Sequence, residues 1–145
     1  MVYNPGYIEE PYVYAKKMMK YMLLAAGGAI GTVLRYSLSG LTYKILNGVF
    51  PWGTLLVNLT GSFAIGLLWG LFEFENLSSH MRNFMFIGIL GGFTTFSTFA
   101  LESFNLFRDG EIKLALSNLL ISNVCGVALV FGGFLLSKYL INLFK

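Results

Sequence analysis

The side chains best suited to chemistry in this sequence are hydrogen-bond donors and phenylalanines set within apolar segments. The donors are Asn58, Thr94, Thr95, Ser97 and Ser122. Phe96 and Phe99 lie three positions apart, on one face of a helix, where their ring edges carry partial positive charge. Rings of carboxylates attract cations into a pathway, and none of these residues is acidic. The set therefore favours a small anion as its ligand, with ordinary helix packing as the alternative for the phenylalanines.

Enzymatic chemistry finds no support in the sequence. His80 and Cys125 are single occurrences of their types, and no pair of acids lies within the apolar segments, whereas catalysis needs a base and a nucleophile or a metal cluster. The ten Lys and Arg residues form no run that could follow a phosphate backbone, which disfavours nucleic acid as a partner. We therefore predict neither an enzyme nor a nucleic-acid-binding protein.

The elements that must position these residues are membrane helices. Hydrophobic residues make up 56% of the chain and charged residues 12%, and the mean hydropathy is +0.69. A bilayer core about 30 Å thick needs roughly 20 apolar residues per helix. The sequence therefore predicts an all-α, multi-pass protein of the cell membrane with an N-terminal interfacial tail over 1–20 and four spans at about 21–45, 52–72, 84–107 and 113–139.

A break is predicted near the middle of the third span. Gly91 and Gly92 are followed by β-branched and hydroxyl residues as far as Thr98, which form a poor helix. Non-helical backbone at membrane depth persists only where it is buried in protein or lines a cavity, and its freed carbonyls are then available to a cation. A kinked but continuous helix is the alternative.

Two charged residues lie within the spans. Arg35 either reaches towards the interface with its long side chain or supplies positive charge to a polar vestibule. Glu102 follows Phe99 by three positions, on roughly the same side of the helix. We expect Glu102 to form an ion pair with Arg35 or Lys44 rather than to line an ion pathway.

The fourth span carries a polar stripe. Asn118, Ser122 and Gly126 are spaced by four residues and share one helix face. The stripe either makes interhelical hydrogen bonds, as membrane helices routinely do, or lines a pathway together with another span.

The distribution of positive charge along the chain gives only a weak preference for one orientation in the membrane. Without the tail, three Lys or Arg residues fall on the tail side and four on the opposite side, so the positive-inside bias almost vanishes. A small protein that inserts both ways could pair with its own inverted copy around an axis in the membrane plane.

Three segments closely resemble one known family. Residues 53–63 follow the pattern GTLxVNxxGSF, residues 91–99 read GGFTTFSTF, and residues 27–36 read GGAIGTVLRY. Together these segments resemble the Fluc family of fluoride channels, also called CrcB. The resemblance covers about residues 21–141 and leaves only the tail outside it.

The resemblance implies an antiparallel, dual-topology homodimer with two fluoride pathways at the subunit interface. By motif, Phe96 and Phe99 would contact fluoride through their ring edges, with Asn58 and Ser97 as the polar groups beside them. The backbone carbonyls of Gly91 and Thr94 of both subunits would bind a central sodium ion. Such a channel would passively release fluoride that enters an acid-stressed cell as neutral HF.

The remaining positions match the family less uniformly. Arg35 and Glu102 fall on positions that the family also carries, and Ser122 and Gly126 match its fourth-span pattern. Asn118 departs from that pattern because the family often has tyrosine there, so an amide replaces a phenol.

Two other functions remain open from the residues alone. One is a small dual-topology, proton-coupled exporter, which needs a titratable carboxylate within the membrane; Glu102 is the candidate. The other is a structural or assembly subunit whose polar residues only hold helices together.

Overall fold

The computed structural model describes residues 6–73 and 78–143, and these residues form a helical bundle. The start of the predicted tail, residues 1–5, lies outside the described residues. The elements are α1 (Gly6–Ile45), α2 (Trp52–Phe72), α3 (Ser79–Arg82), a π-helical segment (Asn83–Leu90), α4 (Gly91–Phe93), α5 (Phe96–Arg108) and α6 (Ile112–Leu143). The elements α3 to α5 follow one another with only two non-helical residues between them.

Four stretches are long and apolar enough to cross a membrane, which confirms the prediction of an all-helical protein with four spans. They are Val13–Ile45, Trp52–Phe72, Ser79–Arg108 and Ile112–Leu143. Helix α1 is continuous from Gly6 to Ile45, so it begins well before the predicted start of the first span at residue 21. The described part of the tail is therefore a direct extension of the first span.

Glycines allow α1 to approach the third span closely. Gly27 and Gly31 lie one turn apart on α1, and a Cβ added to Gly27 would lie 2.9 Å from the Cα of Gly88. A Cβ added to Gly31 would overlap the carbonyl oxygen of Ile89. Because lipid offers no hydrophobic drive for helix association, such backbone contact is a main source of packing energy in a membrane.

A second close contact joins α2 to α6. A Cβ added to Gly66 of α2 would overlap the carbonyl oxygen of Val130, and one added to Gly133 of α6 would lie 2.7 Å from the backbone nitrogen of Leu67. Large apolar side chains such as Phe131 and Leu135 point outward and are about two-thirds exposed. The bundle therefore has its backbone contacts inside and its apolar side chains facing lipid.

The third span contains two extended residues. Helix α4 ends at Phe93, Thr94 has φ −80° and ψ 156°, and Thr95 has φ −147° and ψ 113°. The Thr95 side chain then caps α5 by accepting a hydrogen bond from the Thr98 amide at 3.3 Å. These two residues supply non-helical backbone within a stretch that otherwise has the length and hydropathy of a span.

The α2–α6 contact gives a matched stability test. We expect Gly133→Ala to lower the stability of the folded protein by about 1–3 kcal/mol, the usual cost of overpacking, because its methyl group would meet the α2 backbone. Gly132→Ala is the control, since a Cβ there has no neighbour within 4 Å. Thermal unfolding in detergent measures both variants. An equal loss of stability in the two variants would show that contact with α2 is not the cause of the loss.

Candidate functional site

The site is built around a pair of hydrogen bonds between α2 and the extended residues. The Asn58 Nδ2 donates to the Thr95 carbonyl oxygen at 3.0 Å, and the Asn58 Oδ1 accepts from the Thr95 amide at 2.8 Å. One side-chain amide therefore satisfies both backbone groups of Thr95. Those groups have no helical partner where the chain is extended, and leaving them unpaired within a membrane is costly.

This pairing releases two carbonyl groups of the third span. In a continuous helix the Thr95 amide would donate to the Gly91 carbonyl and the Thr98 amide to the Thr94 carbonyl. The Thr95 amide donates to Asn58 instead, and the Thr98 amide donates to the Thr95 hydroxyl. The carbonyls of Gly91 and Thr94 thus lose their helical donors, and carbonyl oxygens freed in this way fit a hard monovalent cation.

A hydroxyl cluster surrounds the start of α5. The Thr95 hydroxyl donates to the Thr98 hydroxyl at 2.9 Å and lies 3.5 Å from the Ser97 hydroxyl. Ser97 is exposed and Thr95 is buried. Ser97 therefore adds a polar group on the outer side of the extended residues.

A surface recess of about 360 Å³ brings many of the predicted residues together. Its lining includes Asn58, Gly91, Thr94, Thr95, Phe96, Phe99 and Ser122. The Phe96 and Phe99 ring centroids are 5.6 Å apart with the planes tilted by 51°. Phe99 is buried, whereas Phe96 is 77% exposed, so the Phe96 ring lies at the outer surface of the bundle.

Asn118 lies behind this recess rather than in its lining. Its side chain is 1% exposed, its Nδ2 donates to the Ser103 hydroxyl at 3.0 Å, and its Oδ1 accepts from the Ser122 hydroxyl at 3.3 Å. Ser103 in turn donates to the Phe99 carbonyl at 2.8 Å. Ser103 was missed by the sequence analysis, although its position four residues after Phe99 could have indicated it.

Arg35 lines a second recess, on the α1 side of the same extended residues. This recess has a volume of about 430 Å³, and its lining includes Arg35, Ser39, Tyr43, Thr54, Thr95 and Thr98. Thr95 borders both recesses. The half-buried Arg35 side chain therefore adds positive charge to a polar hollow, which supports the vestibule alternative.

Glu102 does not form the predicted ion pair, and that prediction was wrong. Its Oε1 accepts hydrogen bonds from the Thr54 hydroxyl at 2.8 Å and from the Tyr43 hydroxyl at 3.1 Å. Within residues 6–73 and 78–143, no ion pair joins this carboxylate to Arg35 or Lys44. Two hydroxyls from α1 and α2 hold the carboxylate because they reach it where the three helices meet.

These features define a multi-pass membrane protein with a polar recess beside two extended residues of its third span. Residues 22–134 match a family model described as "CrcB-like protein, Camphor Resistance (CrcB)". The chain belongs to this family, as the resemblance predicted.

Relatives of known name support the assignment. A protein of Parabacteroides distasonis named "Fluoride-specific ion channel FluC" is 47% identical over 128 residues, which cover 88% of this chain and 100% of that protein. Proteins with the same name from Salinibacter ruber and Dehalococcoides mccartyi are 44% identical over 113 residues and 43% identical over 124 residues. These matches cover 78% and 85% of this chain, and 85% and 95% of the relatives.

The family places the chain among ion channels rather than among enzymes, which agrees with the prediction from the residues. It also agrees with the prediction of a multi-pass membrane protein. The comparisons give no support to the exporter or to the assembly-subunit alternative. The matched region begins at residue 22, so the whole of the predicted tail, residues 1–20, falls outside it.

The Asn58 pairing gives a second stability test. We expect Asn58→Asp to destabilise the protein by about 1–3 kcal/mol, because an ionised carboxylate cannot donate to the Thr95 carbonyl and leaves it unsatisfied. Asn123→Asp is the matched control, since Asn123 is exposed and donates to the Leu119 carbonyl of its own helix. Denaturation of both variants in detergent provides the comparison. Equal stability of Asn58→Asp and the unmodified protein would contradict a structural role for this pairing.

Proposed function

We propose that this protein is a fluoride-selective channel that lets fluoride leave the cell passively and so lowers cytoplasmic fluoride. The observation that carries the proposal is the recess where Asn58, Ser122 and the Phe96–Phe99 ring pair meet, with no carboxylate among its described lining residues. Amide and hydroxyl donors with positive ring edges suit a small anion. The names of the relatives point to the same ion.

The extended residues Thr94 and Thr95 are, in this proposal, the functional break of the third span. A helix across this region would direct its amides and carbonyls along its own axis. The break instead turns the Thr95 backbone towards Asn58 and starts α5 with Phe96 facing outward. As a result, the polar groups and the phenylalanine ring edges would lie at the same depth within the bundle.

The working unit would be an antiparallel homodimer with two fluoride pathways. Phe96 is 77% exposed in the single protomer, and the adjoining recess is open to the surface. A second copy of the chain would cover both the ring and the recess. The weak positive-inside bias supports insertion in both orientations, which such a dimer requires.

The proposed pathway divides its residues by role. Phe96, Phe99, Asn58, Ser97 and Ser122 would face the ion, and Asn118 would hold Ser122 from behind.

Arg35 would draw the anion into the recess beside Thr95. Glu102 would anchor the Tyr43 and Thr54 hydroxyls. None of these roles uses an energy source, so fluoride would move down its own gradient.

A sodium ion at the dimer centre would hold the two breaks together. The Gly91 and Thr94 carbonyls are freed from their helical donors, as shown above, and both residues line the recess. Among the described residues, no group of three or more His, Cys, Asp or Glu side chains could hold a metal ion. Carbonyl oxygens from two subunits are therefore the ligands we propose, and the ion would be structural.

Substitution of the phenylalanines tests the pathway. We expect Phe96→Ile and Phe99→Ile each to reduce fluoride efflux by up to about tenfold, because each keeps apolar bulk but removes a ring edge worth up to about 1.5 kcal/mol. Phe104→Ile is the control, since Phe104 is an exposed residue farther along α5. Efflux from liposomes is recorded with a fluoride electrode, and chloride efflux is recorded in parallel. Unchanged fluoride efflux in both site variants would refute the assignment of the rings.

Removal of sodium tests the proposed central ion. We expect replacement of sodium by a large organic cation to lower the thermal midpoint of the dimer and to slow fluoride efflux, because the freed carbonyls would lose their ligand. Gly133→Ala keeps the Gly91 and Thr94 carbonyls, so it should show the same dependence on sodium. A midpoint and an efflux rate independent of sodium would exclude the ion while leaving the anion pathway untouched.

A further inference from the structure

The extension of α1 before the family region carries a cluster of basic residues. Lys16, Lys17 and Lys20 lie within two helical turns, and all three are exposed. The family match begins only at residue 22. The channel site described above uses none of these lysines, so they need an explanation of their own.

The cluster occupies one side of the helix. With about 100° of rotation per residue, the three lysines fall within an arc of about 100°. The opposite side carries Tyr14, Met18 and Met22, which are 62%, 63% and 64% exposed. This part of α1 therefore has a basic face, defined here as Lys16, Lys17 and Lys20, and an apolar face behind it.

Helix packing gives the depth of the basic face. Gly27 of α1 packs directly against Gly88, and both spans run from the tail side to the opposite side. Arg82 precedes Gly88 by six residues, so it lies at nearly the same depth as residue 21 of α1. Arg82 begins the charged end of the third span, with its guanidinium 5.7 Å from the Trp69 ring centroid. The basic face thus starts where the apolar part of the bundle ends.

The length of α1 agrees with this depth. A bilayer core of about 30 Å takes about 20 helical residues, and counting that number back from Lys44 reaches about residue 24. Lys20 then lies about 6 Å outside the core, and the headgroup layer is about 5–8 Å thick. Lys16 and Lys17 lie about one further turn out, and long lysine side chains can bend back towards the core.

We propose that the basic face of α1 binds the phosphate groups of anionic phospholipids in the leaflet next to it. Three ammonium groups at headgroup depth are complementary to a negatively charged lipid surface. Lys138 lies at the same end of the bundle, but it pairs with Glu73 at 2.7 Å, so it adds no net charge to the basic face. On the apolar face, Met22 lies about 3 Å outside the core by the same count and would rest against the glycerol region of that leaflet.

Lipid retention by the full-length protein tests this proposal. The protein is purified from mixed vesicles of phosphatidylcholine and phosphatidylglycerol, and the lipids that stay bound are counted by native mass spectrometry. The test variant carries Lys16→Gln, Lys17→Gln and Lys20→Gln together. A second variant carries Arg at the same three positions and keeps the charge. The matched control carries Lys44→Gln and Lys113→Gln, which remove exposed charge at the opposite end of the bundle.

We expect the unmodified protein to retain phosphatidylglycerol in preference to phosphatidylcholine. The preference should fall by roughly fivefold for each lysine removed from the basic face, since each basic residue near a membrane surface contributes about that factor. The arginine variant and the opposite-end control should keep the preference, and high salt should weaken it. Elution volume and thermal midpoint identify any variant that has lost its fold, and the single Lys20→Gln variant then replaces the triple one.

Three results would overturn the proposal. The glutamine variant could retain phosphatidylglycerol as well as the unmodified protein does, or the opposite-end control could lose as much. Alternatively, the glutamine variant could show slower fluoride entry with its lipid preference unchanged, in which case the lysines attract the permeating anion instead. Because lipid retention is counted without ion flux, the result is independent of the proposed channel activity.

Discussion

The rest of the structure depends on how the backbone of the two extended residues of the third span, Thr94 and Thr95, is hydrogen-bonded. The bilayer offers no water to the amide and carbonyl of Thr95, and an unpaired backbone group there costs several kcal/mol. Asn58 meets both groups with a single side chain. This pairing keeps α2 beside the extended residues, and it also leaves the Gly91 and Thr94 carbonyls without their helical donors.

Glycines make that pairing sterically possible. A short asparagine reaches the third span only if α2 lies close to it, and a Cβ added to Gly61, three residues after Asn58, would overlap the Thr94 side chain. The contacts of Gly27 and Gly31 bring α1 against the other side of the third span. In lipid, where apolar side chains gain little by leaving the solvent, such contacts hold the helices in place. The helix packing and the hydrogen bonds of Asn58 therefore both depend on the close approach of α2 to the third span.

Features that depend on the composition of a single segment could be predicted from the sequence. Hydropathy predicted the four spans, and weak helix formers drew attention to Thr94 and Thr95, which the structure shows as extended. Contacts between segments were harder to predict. The spacing of residues shows which face of α5 carries Glu102. It cannot show that the hydroxyls of Thr54 and Tyr43, rather than a cation, contact the carboxylate. Likewise, the polar stripe of α6 was compatible with an interhelical hydrogen bond, but it could not show that the partner of Asn118 would be Ser103.

The hydrogen bonds already made in the recess limit what remains for an anion. An asparagine amide has two N–H groups, and one of those of Asn58 is used by the Thr95 carbonyl. The Ser122 hydroxyl donates to Asn118, so it must turn before it can donate to an ion. On the proposed function, Asn58 and Ser122 would therefore offer a dehydrated fluoride ion one amide N–H and one hydroxyl that must first give up a bond, with the exposed Ser97 hydroxyl beside them. Since so few donors are spare, the positive edges of Phe96 and Phe99 must provide much of the remaining stabilisation, which explains why aromatic rings would be placed at a site for such a strongly hydrated ion.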